Sequence, residues 1–128
     1  MKNFCLLVLC GFVAGTLFGR VEPARAVDAF KKEFEAKYVK KDGGTDEEKA
    51  FAAAVSKAKC NVCHVGTKKK DRNEYGKALD TLLDKKDKDA TKIQEALDKV
   101  SEMKSKPDDA ASPTFGELIK QGKLPSGE

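Results

Sequence analysis

From residue 28 onward the apolar positions recur at helical spacing, and nowhere do they alternate with the two-residue period of a strand. Phe30, Phe34 and Tyr38 fall every fourth residue with Lys and Glu between them, which predicts a helix capped by Asp28 and ended at Gly43-Gly44. Thr45 followed by Glu48 is a capping-box pattern, and it opens a second helix that carries Phe51, Val55 and an alanine-rich face into Cys60. Asn73 caps a third with Tyr75, Leu79, Leu82 and Leu83 on one side. Asp89 caps a fourth with Ile93, Leu97 and Val100, after a solvated Lys/Asp connection over 84–89. Ser112-Pro113 breaks the chain before Thr114 and Glu117 repeat the capping box. A short helix of Phe115, Leu118 and Ile119 follows, closed by Gly122 and Pro125. The pattern predicts an all-α chain without internal repeats.

The first 26 residues follow a different rule. Lys2 precedes a stretch from Asn3 to Gly19 that carries no charge and is rich in Phe, Leu, Val, Cys, Ala and Gly, and Ala24-Arg25-Ala26 is a small-x-small cleavage pattern. This three-part form is that of a secretory signal peptide. The alternative, a retained membrane anchor, needs roughly 20 apolar residues, more than the run supplies. The expected organisation is a signal at 1–26, an extra N-terminal helix and linker at 27–44, and the main domain at 45–128. The exported product is then periplasmic or otherwise extracytoplasmic, with no membrane span in the mature chain.

Composition narrows the function classes. The 128 residues include 25 basic and 21 acidic side chains, a formal net charge of +4, which processing after Ala26 lowers to about +2. So even a balance lacks the one-sided basic excess of a nucleic-acid binder. The length leaves no room for a large catalytic domain. With 40% hydrophobic residues, many of them alanine, the core is thin, and thin cores in small domains call for a staple, a metal or a cofactor. Of the four cysteines, Cys5 and Cys10 leave with the signal, so Cys60 and Cys63 form the only mature pair, beside the chain's single histidine.

Cys60-Asn61-Val62-Cys63-His64 is a C-x-x-C-H sequence, the signature of covalent c-type haem attachment. Residues three apart on a helix share a face, so two thiols at this spacing can meet the two reactive side groups of one porphyrin. His64 then lies beside the macrocycle, where its imidazole can ligate iron. The rival readings are weaker. Structural zinc takes four ligands, and the mature chain has three Cys and His in total. A thioredoxin-like pair belongs to a strand–helix context that the pattern lacks. A disulfide between Cys60 and Cys63 closes too short a loop to stabilise much.

The segment from about Thr45 to Met103 resembles the cytochrome c domain family, and within it the small exported monohaem proteins. A helix leads into Cys60-Asn61-Val62-Cys63-His64, helices follow, and Met103 lies downstream. The resemblance implies an all-α, cytochrome c-like domain wrapped around one covalently bound haem c per chain. Cys60 and Cys63 would be its thioether residues, His64 its proximal iron ligand and Met103 the candidate distal iron ligand. It also implies one-electron transfer between redox donor and acceptor proteins, not catalysis. Two places differ from the family pattern. Met103 continues the apolar face of Ile93, Leu97 and Val100, where a methionine is ordinarily core filler. Ala52 and Ser56 stand where a glycine and an aromatic are common, with Phe51 and Val55 as substitutes for the helix-crossing contact.

Lys68, Lys69, Lys70 and Arg72 follow the motif closely. They read as a solvated loop, as propionate partners, or as a patch that steers an acidic redox partner. Tyr75 reads as core or as a propionate donor. The expected function is a soluble extracytoplasmic electron carrier. The alternatives are a haem-bearing subunit of a larger redox complex and an open-site haem protein that binds a small ligand.

Overall fold

The computed structural model describes residues 26–40, 44–68 and 70–127. The expected signal segment apart from Ala26, the helix-ending Gly43 and Lys69 of the basic run lie outside the described residues. Five α-helices appear in chain order: α1 Ala26–Tyr38, α2 Asp46–Ala58, α3 Glu74–Asp80, α4 Ala90–Ser101 and α5 Phe115–Lys120, with a 3₁₀ turn at Lys59–Val62. Among the described residues there is no β-strand, only isolated antiparallel bridges at His64–Arg72 and Lys104–Thr114. The all-α expectation holds at this level. No described helix is long and apolar enough to cross a membrane.

Four helices start where the side-chain caps dictate. Thr45 and Thr114 each form a complete capping box with Glu48 and Glu117, and Asn73 and Asp89 accept from the third backbone N–H beyond them. The ends are less faithful to the pattern. α1 already includes Ala26 and Val27, so Asp28 lies inside the helix and does not cap it. α3 stops at Asp80, short of Leu82 and Leu83. There the Thr81 hydroxyl donates to the Ala78 carbonyl at 2.7 Å. The N–H groups of Leu82 and Leu83 both turn back to Leu79 O, so Leu83 still reaches the core without a continuing helix.

α4 organises the packing. Ile93, Ala96, Leu97 and Val100 occupy one face at helical spacing and are almost wholly buried. Against that helix pack α1, α3 and α5, while α5 also touches α2. Gly122, past the end of α5, approaches α2 so closely that a Cβ would lie 2.8 Å from the Glu47 carbonyl oxygen, and its φ of +73° favours glycine. Phe51 and Val55 are the buried residues of α2, so the helix leading into the motif turns this pair inward. Ala52 and Ser56 face a groove of about 360 Å³ shared with Lys31, Glu35 and Val39 of the N-terminal region.

The helix expected to be an extra element is joined to the core by both apolar and polar contacts. Phe34 is 4% exposed and meets Tyr38, Phe51 and Tyr75 at ring-centroid distances of 5.1, 6.2 and 5.8 Å. Tyr38 donates to Leu97 O at 3.1 Å, and Lys37 pairs with Asp98 at 2.7 Å. Gln94 donates to the Glu33 backbone and carboxylate. Burial, with the Asp98 charge as a second cause, pushes the Tyr38 phenol up to about 12.

Phe34→Ala is expected to lower unfolding free energy by about 3–5 kcal/mol in urea titrations, as for other large buried aromatics. A loss below about 1 kcal/mol would show that α1 is an appendage outside the cooperative core.

Candidate functional site

The C-x-x-C-H residues occupy the 3₁₀ turn after α2 and the two residues beyond it. Lys59 makes the junction with φ 52° and ψ −113°, the one positive-φ residue other than glycine among those described. Such a conformation costs about 1–3 kcal/mol. It ends α2 immediately before Cys60 and leaves Cys60 at the surface. Val62 points inward and is 5% exposed, while Cys63 is half-buried and packs against the core cluster.

A second segment holds this turn in place. Asn73 donates from Nδ2 to Asn61 O at 3.1 Å and Val62 O at 3.0 Å. Its Oδ1 accepts from Gly76 N at 2.9 Å, and its backbone N–H donates to Cys63 O at 3.2 Å. Val65 N–H donates to Asp71 O at 2.9 Å, so Cys63–Val65 and Asp71–Asn73 pair antiparallel across the His64–Arg72 bridge. Asn73 thus caps α3 and ties that cap to the motif. Gly76 completes the fit, because a Cβ there would lie 2.0 Å from the Cys63 carbonyl oxygen. The sequence pattern identified Asn73 as a cap. Its clamp on the motif and the close approach of Gly76 were not foreseen, since neither shows in local propensity.

The chemistry of the donor set is defined by what remains unpaired. Cys60 and Cys63 are free thiols. Burial, followed by the neighbouring Cys60, pushes the Cys63 thiol up to about 12, which keeps it protonated near neutral pH. His64 is half-buried, and its Nδ1 is buried without a hydrogen-bond partner. Tyr75 is fully buried between Phe34 and Phe115, and its hydroxyl also lacks a partner. Buried polar atoms without partners are uncommon enough in folded chains to need a physical account. Among the described residues no three His, Cys, Asp or Glu side chains converge to hold a bare metal ion.

Met103 sits outside α4, which ends at Ser101, and it is 37% exposed. It is therefore not core filler. Its carbonyl accepts from Phe115 N at 3.0 Å, and Ser105 N donates to Pro113 O at 2.9 Å, closing the loop between them. Inside that loop Ser112 is buried, its hydroxyl donating to Lys106 O at 3.1 Å. Met103 lines an open, largely apolar groove of about 410 Å³ with Phe115, Pro107 and the Glu74, Lys77, Ala78 and Thr81 face of α3. Gly76, which meets Cys63, lies on the opposite face of α3 at 100° per residue. The structure thus brings Cys60, Cys63 and His64 together, and it places Met103 across α3 from the Cys63 backbone.

The basic run is divided. Lys68 and Lys70 are exposed, whereas Arg72 is half-buried and pairs with Asp80 at 2.8 Å. Val65 beside them is an exposed apolar residue at 56%.

With this geometry in hand, comparison with protein-family models, curated proteins and solved structures finds no match in any of the three.

Gly76→Ala separates helix propensity from close approach. Propensity alone favours alanine by about 1 kcal/mol. The Cys63 contact reverses the sign, and a net loss of about 1–3 kcal/mol is expected in denaturant titrations. A stabilised variant would show that the α3–motif contact is not tight.

Proposed function

We propose that this chain is an exported c-type haem protein that carries single electrons. The observation that carries the reading is the pair of unbridged thiols at Cys60 and Cys63, directly followed by His64, on a turn held by Asn73 and Gly76. Cys60 and Cys63 would hold the haem by thioether bonds, and His64 would ligate its iron. When bound, the haem supplies a one-electron ferrous–ferric couple.

The chain's own part is positional. The Asn73 hydrogen bonds hold the carbonyls of Asn61, Val62 and Cys63, so the backbone between the two thiols has little freedom to move with a change in charge. A rigid frame keeps reorganisation small, which suits electron transfer. The imidazole shares the half-buried edge of the core, where water is partly excluded. Lys68 and Lys70, exposed next to Val65, supply positive charge beside the proposed attachment edge. An acidic redox partner fits that surface.

Met103 is the only sulfur donor in the mature chain outside the motif, and its release from α4 leaves it on an irregular segment. Met103 would be the residue to supply a thioether as sixth ligand to that iron, which would raise its reduction potential, as suits a carrier. Its placement across α3 favours a second reading, an open-site haem protein in which no side chain fills that position.

The test is expression of the full chain with a haem-attachment system. The expected product is red, retains its haem through acid–acetone extraction, and loses attachment in the Cys60→Ala/Cys63→Ala double variant. Haem that washes out completely would sink the proposal. In the oxidised absorption spectrum, a weak charge-transfer band at the red end that disappears in Met103→Ala assigns the sixth ligand to Met103. A high-spin spectrum with rapid cyanide binding assigns the open site.

Reversing Lys68 and Lys70 to Glu is expected to leave the thermal midpoint nearly unchanged, because exposed charges contribute little to stability. Electron exchange with an acidic partner should slow, and the wild-type rate should fall as salt is added. A salt-independent rate equal in both proteins would leave these lysines as solvation only.

A further inference from the structure

A histidine that ligates a metal is ordinarily aimed by a hydrogen bond on its other ring nitrogen. His64 has no such bond at Nδ1, which is buried and unpaired. Its ring direction therefore rests on packing and on the backbone that carries it.

That backbone is held on both sides of residue 64. In the peptide unit before it, the His64 N–H donates to Cys60 O at 3.0 Å, and the Cys63 carbonyl accepts from Asn73 N at 3.2 Å. In the unit after it, the Val65 N–H donates to Asp71 O at 2.9 Å. With both flanking peptide planes fixed, so is the Cα–Cβ bond from which the imidazole departs.

One side chain underlies this arrangement. The last carbonyls of the 3₁₀ turn find no N–H further along, since that of Val65 is turned away to Asp71. Asn73 supplies the donors instead. Its Nδ2 meets Asn61 O at 3.1 Å and Val62 O at 3.0 Å, one amide hydrogen to each. Its Oδ1 accepts from Gly76 N at 2.9 Å, so the amide has one orientation; the reverse would set oxygen against both carbonyls. The turn is entered through Lys59 at φ 52°, a strained conformation that persists only where the surroundings hold it.

We propose that Asn73 is the positioning residue for His64: through the carbonyls of Asn61 and Val62 it fixes the turn that aims the imidazole at the haem iron. This rests on the haem reading above. The position needs an acceptor for the α3 cap and two donors for the turn, and asparagine has both. Aspartate is an equally good cap, but it has no donor and turns a carboxylate oxygen toward the two carbonyls.

The test uses the haem-loaded full chain with Asn73→Asp and, as control, Asp89→Ala. The control removes the α4 cap, which costs stability on a helix that carries no motif residue. The wild-type ferric paramagnetic resonance spectrum is expected to show one narrow set of lines, reporting one imidazole orientation. Asn73→Asp should spread it into several species. It should also speed amide-hydrogen exchange at Cys63 and His64 about fivefold, in keeping with one lost hydrogen bond. Asp89→Ala should change neither. Faster exchange with an unchanged spectrum would overturn the proposal, because Asn73 would then hold the turn without aiming the ring. Equal changes in both variants would overturn it too, since lost stability alone explains them. Should Asn73→Asp fail to accumulate, Asn73→Ser, a cap without charge or amide, is read by the same two measurements. A wild-type chain without covalent haem fails one step earlier and overturns the haem reading itself.

Discussion

The approach of α3 to the C-x-x-C-H turn sets the geometry on which the candidate site depends. A backbone-to-backbone contact this close is possible only because residue 76 has no side chain to place against the Cys63 carbonyl. Asn73 secures it by serving two structures with one side chain, capping α3 through Oδ1 and binding the motif carbonyls through Nδ2. The turn itself has little intrinsic stability, since a short 3₁₀ segment entered through a strained Lys59 has few internal hydrogen bonds. It is held from outside.

That outside support comes from α4. Its buried stripe gathers α1, α3 and α5, and α5 reaches α2, so the helix before the motif and the helix after it are fixed to one core. Tyr75 links the two levels, since its ring belongs to the core while its residue number places it between Asn73 and Gly76. The same core receives α1 through Phe34 and Tyr38, with Lys37–Asp98 and Gln94–Glu33 at the margin. The proposed attachment edge therefore sits on a frame whose rigidity is distributed over the whole described chain.

Met103 and Arg72 show how a side chain's role changes with its surroundings. By spacing, Met103 extends the Ile93, Leu97 and Val100 face; α4 ends first, and the methionine joins a loop closed by the Phe115 and Ser105 hydrogen bonds. Arg72 reads as one cation of a basic run, yet Asp80 lies one helix length away in sequence and beside it in space. Lys68 and Lys70 keep the solvated character that the run suggests.

The starts of α2, α3, α4 and α5 were legible because a cap is local. Thr45, Asn73, Asp89 and Thr114 satisfy N–H groups within three residues of themselves, and no distant contact is needed to make that favourable. The C-x-x-C-H spacing was legible for the same reason, since five consecutive residues carry it. The all-α class followed from apolar spacing. The close fit of Gly76 to Cys63, the second use of Asn73, the exposure of Met103 and the unpartnered hydroxyl of Tyr75 belong to the tertiary structure. Each depends on which residues α4 brings together from separate parts of the chain. Spacing records which face of its own helix a side chain occupies, but not what stands opposite that face once the helices pack.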